Sequence, residues 1–230
     1  MKVVILAGGL GTRLAEETDK IPKPMVKIGR KPIISHIIKS YLKFGFKDII
    51  ICSGYKKEVI KKYFKNHKNI HVIDTGLHTQ SGARIKLIKK FLDNDENFFM
   101  TYGDGVSDID IKKLLLFHKK HKKIATLSAV RPLPRFGHLT IINKKVVEFK
   151  EKDKVSEGWI NGGFFVLNKK IFKYINSNNN CIFERDPLVK LSQDGQLMAY
   201  QHDGFWHPMD TLRDKRFLND LIKKRKAPWL

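Results

Sequence analysis

Three short strings in this chain combine residue types that handle charge. The first is Leu6-Ala7-Gly8-Gly9-Leu10-Gly11-Thr12-Arg13-Leu14. Glycines directly after an apolar run let backbone N–H groups approach an anion closely. A tight turn alone would use the same glycines, but Thr12-Arg13 places a hydroxyl and a guanidinium in the loop and points to phosphate. Leu14 stands where a dinucleotide fingerprint has its third glycine, and Cys52-Ser53 ends the next apolar run without an acid for a ribose diol, which speaks against a dinucleotide site. No Gly-Lys-Ser/Thr is present, so the loop is not a P-loop. The second string is Ile21-Pro22-Lys23-Pro24-Met25, in which two prolines stiffen the backbone around one lysine. Read alone it is an ordinary proline loop; a fixed stem gains purpose if the ammonium must meet a fixed charge. The third is Tyr102-Gly103-Asp104-Gly105-Val106, where a carboxylate between glycines suits either a turn or a Mg²⁺ ligand.

These strings must be held by regular elements, and the hydrophobic pattern supplies them. Residues 3–7 form a continuous apolar run that reads as a buried parallel strand. Further strands are expected over 48–52, 70–73, 98–102 and 124–130. Between them, helical spacing predicts helices over 32–42, 57–64, 83–92 and 109–118. Strand and helix in alternation imply an α/β fold with a largely parallel sheet and right-handed crossovers. After Pro132 the rhythm changes. Residues 138–142 and 146–150 read as a hairpin, 163–167 and 197–201 as strands, and 211–224 as a terminal helix with Asp210-Thr211 as capping candidates. A single domain over 1–230 follows: an alternating half to about residue 130 and a β-richer half after it, sharing one sheet. The glycine-rich loop puts the expected phosphate site in the first half.

Composition narrows the function classes. A hydrophobic fraction of 42% excludes a disordered chain, and no apolar run reaches the ~20 residues of a membrane helix. The apolar start is too short for a signal peptide, and two cysteines make neither a disulfide framework nor a metal site, so a cytoplasmic protein is expected. The net charge of +22 invites a nucleic-acid reading. Only nine of the 45 basic residues are arginine, however, and the lysines fall in helical doublets, the pattern of solvated faces. Clustered arginines and aromatic–basic interleaving are lacking, so neither nucleic acid nor membrane is expected as a partner.

Taken together the three strings resemble the sugar-1-phosphate nucleotidyltransferases, and the resemblance runs nearly end to end. Residues 6–13 are similar to that family's signature loop, and Pro22-Lys23-Pro24-Met25 to its lysine loop. Glu151-Lys152 stands at the place of its Glu-Lys-Pro motif, with Asp153 in place of the proline. The strings Asp74-Thr75-Gly76, 101–108, Arg135-Phe136-Gly137, 161–168 and 204–215 resemble the glucose-1-phosphate cytidylyltransferase branch. The chain departs from that branch in a shorter segment between Phe64 and Ile73 and in His138 after Arg135-Phe136-Gly137.

The resemblance implies a Rossmann-like, mostly parallel sheet flanked by helices, with a nucleotide-binding half to about residue 130 and a β-rich acceptor-binding half after it, toward the C-terminus. It implies a Mg²⁺-dependent transfer from CTP to a sugar 1-phosphate, most simply glucose 1-phosphate, by a homo-oligomer. Another phosphorylated sugar or polyol is the alternative acceptor. Lys23 and Arg13 are then the catalytic residues. Leu6, Ala7, Gly8, Gly9, Gly11, Thr12, Arg13, Lys23, Thr75, Ser81, Gly82, Arg84 and Asp104 would bind the nucleotide. Tyr102, Gly103, Glu151, Lys152, Asn161, Gly162 and Trp206 would bind the acceptor, and Asp104 and Asp210 would hold Mg²⁺.

Overall fold

Strand β1 (Val3–Ala7) is wholly buried and lies near the middle of the main sheet. Its apolar run divides between two faces, because successive strand side chains point to opposite sides. Val3, Ile5 and Ala7 enter one core, whereas Val4 and Leu6 enter the other. The computed structural model describes residues 1–131, 138–150 and 158–230, apart from the side chains of His138 and Lys150.

After β1 a short helix α1 (Ala15–Thr18) and the small ribbon β2 (Lys27–Ile28) and β3 (Lys31–Pro32) lead into α2 (Ile33–Lys43). Next come β4 (Ile49–Ser53), α3 (Lys57–Phe64), β5 (Ile70–Asp74), α4 (Ser81–Leu87), β6 (Asn97–Tyr102), β7 (Gly105–Ser107), α5 (Ile111–His121) and β8 (Ala125–Val130). The second half holds β9 (His138–Ile142), β10 (Lys145–Lys150), β11 (Ile160–Asn168), α6 (Asp186–Gln193), β12 (Leu197–His202), β13 (Trp206–Pro208) and α7 (Leu212–Lys223).

The main sheet has seven strands in the order β12-β8-β11-β6-β1-β4-β5. Neighbours pair in parallel except at β11, which runs antiparallel to both β6 and β8. The fold is therefore α/β with a mixed, mostly parallel sheet. Helices α2, α5 and α7 cover one face through residues such as Ile37, Tyr41, Leu114 and Leu218. Helices α4 and α6 cover the other through Ile85, Leu188 and Leu191.

Local chemistry explains the element ends. Asp110 caps α5 by accepting from the Lys113 N–H at 2.9 Å. Thr211 and Asp214 form a reciprocal capping box at the start of α7. The hairpin β9–β10 turns through Asn143 and Lys144, both at positive φ (48° and 66°), the turn that matches strand twist. The helix expected over 83–92 is shorter than its pattern: α4 ends at Leu87, and a 3-10 turn over Lys89–Phe91 follows. That tightening still buries both Ile88 and Leu92.

Candidate active site

The carboxyl ends of β1, β4 and β6 lie side by side, the edge at which open α/β sheets bind ligands. The Gly103 N–H donates to the Leu6 carbonyl at 3.0 Å, so the loop after β6 is stitched to the end of β1. Strand β7 pairs antiparallel with β13, Val106 opposite His207, and the Met209 N–H donates to the Asp104 carbonyl at 2.8 Å. These contacts carry Asp210, near the end of the chain, to the loop that bears Asp104.

Between the two aspartates stands Lys23. Its Nζ is 2.7 Å from Asp104 Oδ2 and 2.6 Å from Asp210 Oδ1. Burial works against the ammonium, but the two carboxylates outweigh it and hold the Lys23 pKa above its usual value. Pro22 is extended (φ −67°, ψ 146°) and Lys23–Met25 form one 3-10 turn, which fixes the lysine stem from below. Arg13 Nη1 donates to the other oxygen of Asp210 at 2.7 Å. The Arg13 side chain is 68% exposed, so the guanidinium leans into the open cleft.

The cleft encloses about 640 Å³. Leu6, Ala7, Gly8, Gly9, Gly11, Thr12, Arg13, Lys23, Ser81, Arg84, Tyr102, Gly103, Asp104, Asn161, Gly162, Trp206 and Asp210 all line it. Gly11 has φ +71°, which favours glycine, and a Cβ on Gly8 would lie 2.1 Å from the Arg84 guanidinium. Trp206 Nε1 donates to the Gly162 carbonyl at 2.7 Å, and the Asn161 side chain accepts from the Gly163 N–H at 2.8 Å.

Several expected residues play a different part from the one their type implies. Thr75 does not line the cleft; it is buried, donating to the Ser53 carbonyl at 2.7 Å. Gly82 also sits behind the wall, its N–H donating to the Cys181 carbonyl at 2.9 Å. Arg84 lines the cleft but is only 4% exposed. Its guanidinium donates to Thr75 Oγ1 (2.6 Å) and to the carbonyls of Gly76 (2.8 Å), Gly8 (3.0 Å) and Ser53 (3.2 Å). It braces the glycine loop against the ends of β4 and β5. Asp210 precedes the α7 cap rather than forming it; Thr211 does that work. Glu151, Lys152 and the Arg135-Phe136-Gly137 string lie outside the described residues.

Glu184 lines the cleft and is absent from the sequence-based set. Its carboxylate accepts from Tyr102 Oη and from Ser81 Oγ, each at 2.5 Å. Burial, together with this carboxylate, pushes the Tyr102 phenol far above its usual range, so it stays protonated as a donor. No spacing rule marks Glu184, because both partners reach it only through the tertiary fold.

Among the described residues no group of three or more His, Cys, Asp or Glu is placed to hold a metal. Asp104 and Asp210 nonetheless converge on a single cation position, which Lys23 takes. Two carboxylates at one point suit Mg²⁺, which is commonly held by one or two carboxylates together with substrate phosphates. No helix among the described residues is long and apolar enough to cross a membrane.

Comparison with known proteins agrees with this architecture. The nucleotidyl transferase family model matches residues 2–214. The chain is 50% identical over 254 aligned residues to the glucose-1-phosphate cytidylyltransferase of Salmonella typhimurium, covering 100% of this chain and 98% of that one. It is 34% identical to the D-glycero-alpha-D-manno-heptose 1-phosphate guanylyltransferase of Aneurinibacillus thermoaerophilus, covering 90% and 91%. Among solved structures, HddC from Yersinia pseudotuberculosis complexed with GMP-PN superposes with a TM-score of 0.73 at 28% identity, covering 96% of this chain and 99% of that one.

Proposed function

The chain belongs to the nucleotidyl transferase family, and we propose that it joins CTP to glucose 1-phosphate, giving CDP-glucose and pyrophosphate. The observation that carries this reading is the Lys23 ammonium held between Asp104 and Asp210 beside a glycine-rich loop. The 50% identity to a glucose-1-phosphate cytidylyltransferase supports the choice of nucleotide and acceptor.

An oxygen of the sugar phosphate attacks the α-phosphorus of CTP. One P–O bond forms, the bond to pyrophosphate breaks, and no proton need move, because the attacking phosphate is already anionic. The protein's task is to bring two polyanions together and to neutralise their charge. The backbone of Gly8, Gly9 and Gly11 cradles the triphosphate, and Arg13 holds its β- and γ-phosphates. Lys23 leaves the aspartates to sit between the α-phosphate and the incoming phosphate. Asp104 and Asp210 would hold Mg²⁺, which would supply neutralisation of triphosphate charge. Lys152 binds the acceptor phosphate, with Glu151 and Asn161 on its hydroxyls. Residues up to about 130 form the nucleotide half and the rest the acceptor half. Action as a homo-oligomer in the cytoplasm completes the proposal.

The test is pyrophosphate release from each of CTP, UTP, dTTP and GTP with a panel of sugar and polyol phosphates. CTP with glucose 1-phosphate is expected to give the highest kcat/KM. A higher value with another nucleotide, or with another acceptor, would refute the corresponding half of the proposal.

A further inference from the structure

Glu184 is a cleft carboxylate that the transfer chemistry leaves without a task. It stands just before α6, is exposed to the cleft, and pairs with no cation among the described residues. Two donors fix its orientation: Tyr102 Oη on Oε1 and Ser81 Oγ on Oε2. Ser81 Oγ in turn accepts from the Phe183 N–H at 2.9 Å. Each carboxylate oxygen keeps a further lone pair, so the group is an aimed and unsaturated acceptor.

Its place in the cleft indicates what it faces. On the proposed reading, with the phosphates at Arg13 and Lys23, the nucleoside would lie along the cleft wall formed by Gly8 and by Ser81 at the start of α4. The other charged group there, Arg84, has both terminal nitrogens committed to carbonyls and Thr75. The Ser81 hydroxyl proton is committed to Glu184 itself. The acceptor-only group left at this end is Glu184. Cytosine differs from uracil and thymine in carrying a 4-amino donor where they carry a carbonyl acceptor. A carboxylate accepts from that amino group, whereas it meets the carbonyl acceptor to acceptor.

We propose that Glu184, aimed by Tyr102 and Ser81, accepts a hydrogen bond from the cytosine 4-amino group and thereby selects CTP over UTP and dTTP. This rests on the reading of the site as a cytidylyltransferase. The experiment measures kcat/KM for CTP and for UTP with the wild-type protein, Glu184→Gln and Tyr102→Phe, beside the KM for the sugar phosphate and the melting temperature. Glutamine keeps the shape and adds a donor that can meet the uracil carbonyl. In Glu184→Gln the CTP:UTP ratio is expected to fall by roughly tenfold or more, with UTP gaining and the sugar phosphate KM unchanged. Tyr102→Phe frees the carboxylate and is expected to lower the ratio less; it also serves if Glu184→Gln does not fold. A wild-type preference for CTP that survives both variants overturns the assignment alone. So does an effect confined to the KM of the sugar phosphate, which would place Glu184 on the acceptor. A wild-type protein without a preference for CTP overturns the cytidylyltransferase reading as well.

Discussion

The Lys23 ammonium and the Asp210 carboxylate lie 2.6 Å apart although 187 residues separate them in the chain. Asp104 joins them at 2.7 Å. The lysine is the counter-charge set between two carboxylates that converge on one position. On the proposed function Asp104 and Asp210 would hold Mg²⁺ instead, and the Lys23 ammonium would be free to meet the phosphates.

Asparagine at either aspartate preserves shape and removes one negative charge. Asp104→Asn and Asp210→Asn are each expected to fold and to lose about 10²-fold or more in kcat. Steady-state rates across a Mg²⁺ titration check this. Wild-type rates in either variant, or full activity of the wild type in excess chelator, would show that the pair holds no metal.

Arg84 is expected to act through the loop it braces. Arg84→Met removes one of the donors to the carbonyls of Gly8 and Ser53 and leaves the Gly76 carbonyl without its donor, at a cost of about 1–3 kcal/mol where water cannot replace it. A lower melting temperature and a higher KM for CTP are expected, with kcat changed far less. Arg84→Lys should rescue little, because a single ammonium does not reproduce the planar fork. Thermal melts with CTP titrations test this. A fall in kcat with an unchanged melting temperature would mean that Arg84 touches the reacting groups.

The contrast between Lys23 and Arg84 shows how much was legible from residue order. The apolar runs of β1, β4 and β6 and the glycine, proline–lysine and aspartate strings were plain, because each is local: a period, a turn residue, a stiffened stem. The mostly parallel sheet followed from strand–helix alternation. What residue type could not convey is how a side chain's hydrogen bonds are used. Arg84 reads as an anion binder, yet five protein acceptors take the donors of its two terminal nitrogens. Thr75 reads as a ligand contact and is buried behind the wall. Glu184 carries no local signal, since its partners lie 103 and 82 residues away. The short pairing of β7 with β13, which brings Asp104 and Asp210 together, is too brief for any periodicity to show.

Acid sensitivity is expected from the buried His118 network. His118 Nδ1 meets Thr126 Oγ1 at 2.8 Å and its Nε2 meets Asn97 Oδ1 at 3.1 Å. Burial, with His121 nearby, lowers the imidazole pKa to about 4. The folded state therefore holds the neutral ring while the unfolded chain takes up a proton near pH 6.5. The stabilising contribution is present above about pH 6.5 and is lost as the pH falls from there toward 4. Burial lowers His36 and His207 as well, with the same sign. Urea midpoints from pH 8 to 5 should decline, and His118→Gln should flatten the decline. An unchanged slope in that variant would remove His118 as its source.

The most direct test of the account is kcat for Lys23→Met at saturating CTP, glucose 1-phosphate and Mg²⁺. Methionine keeps most of the stem's bulk and removes the charge that offsets repulsion at the α-phosphorus. Losing one positioned electrostatic contact of this kind costs about 3 kcal/mol of transition-state stabilisation, or roughly 10²-fold in rate. CTP should still bind, because Arg13 and the glycine loop remain, and Mg²⁺ can take the place between Asp104 and Asp210. A fall in kcat of about 10²-fold or more is expected, with a small change in CTP affinity and a folded protein by thermal melt. A kcat equal to that of the wild type would contradict it.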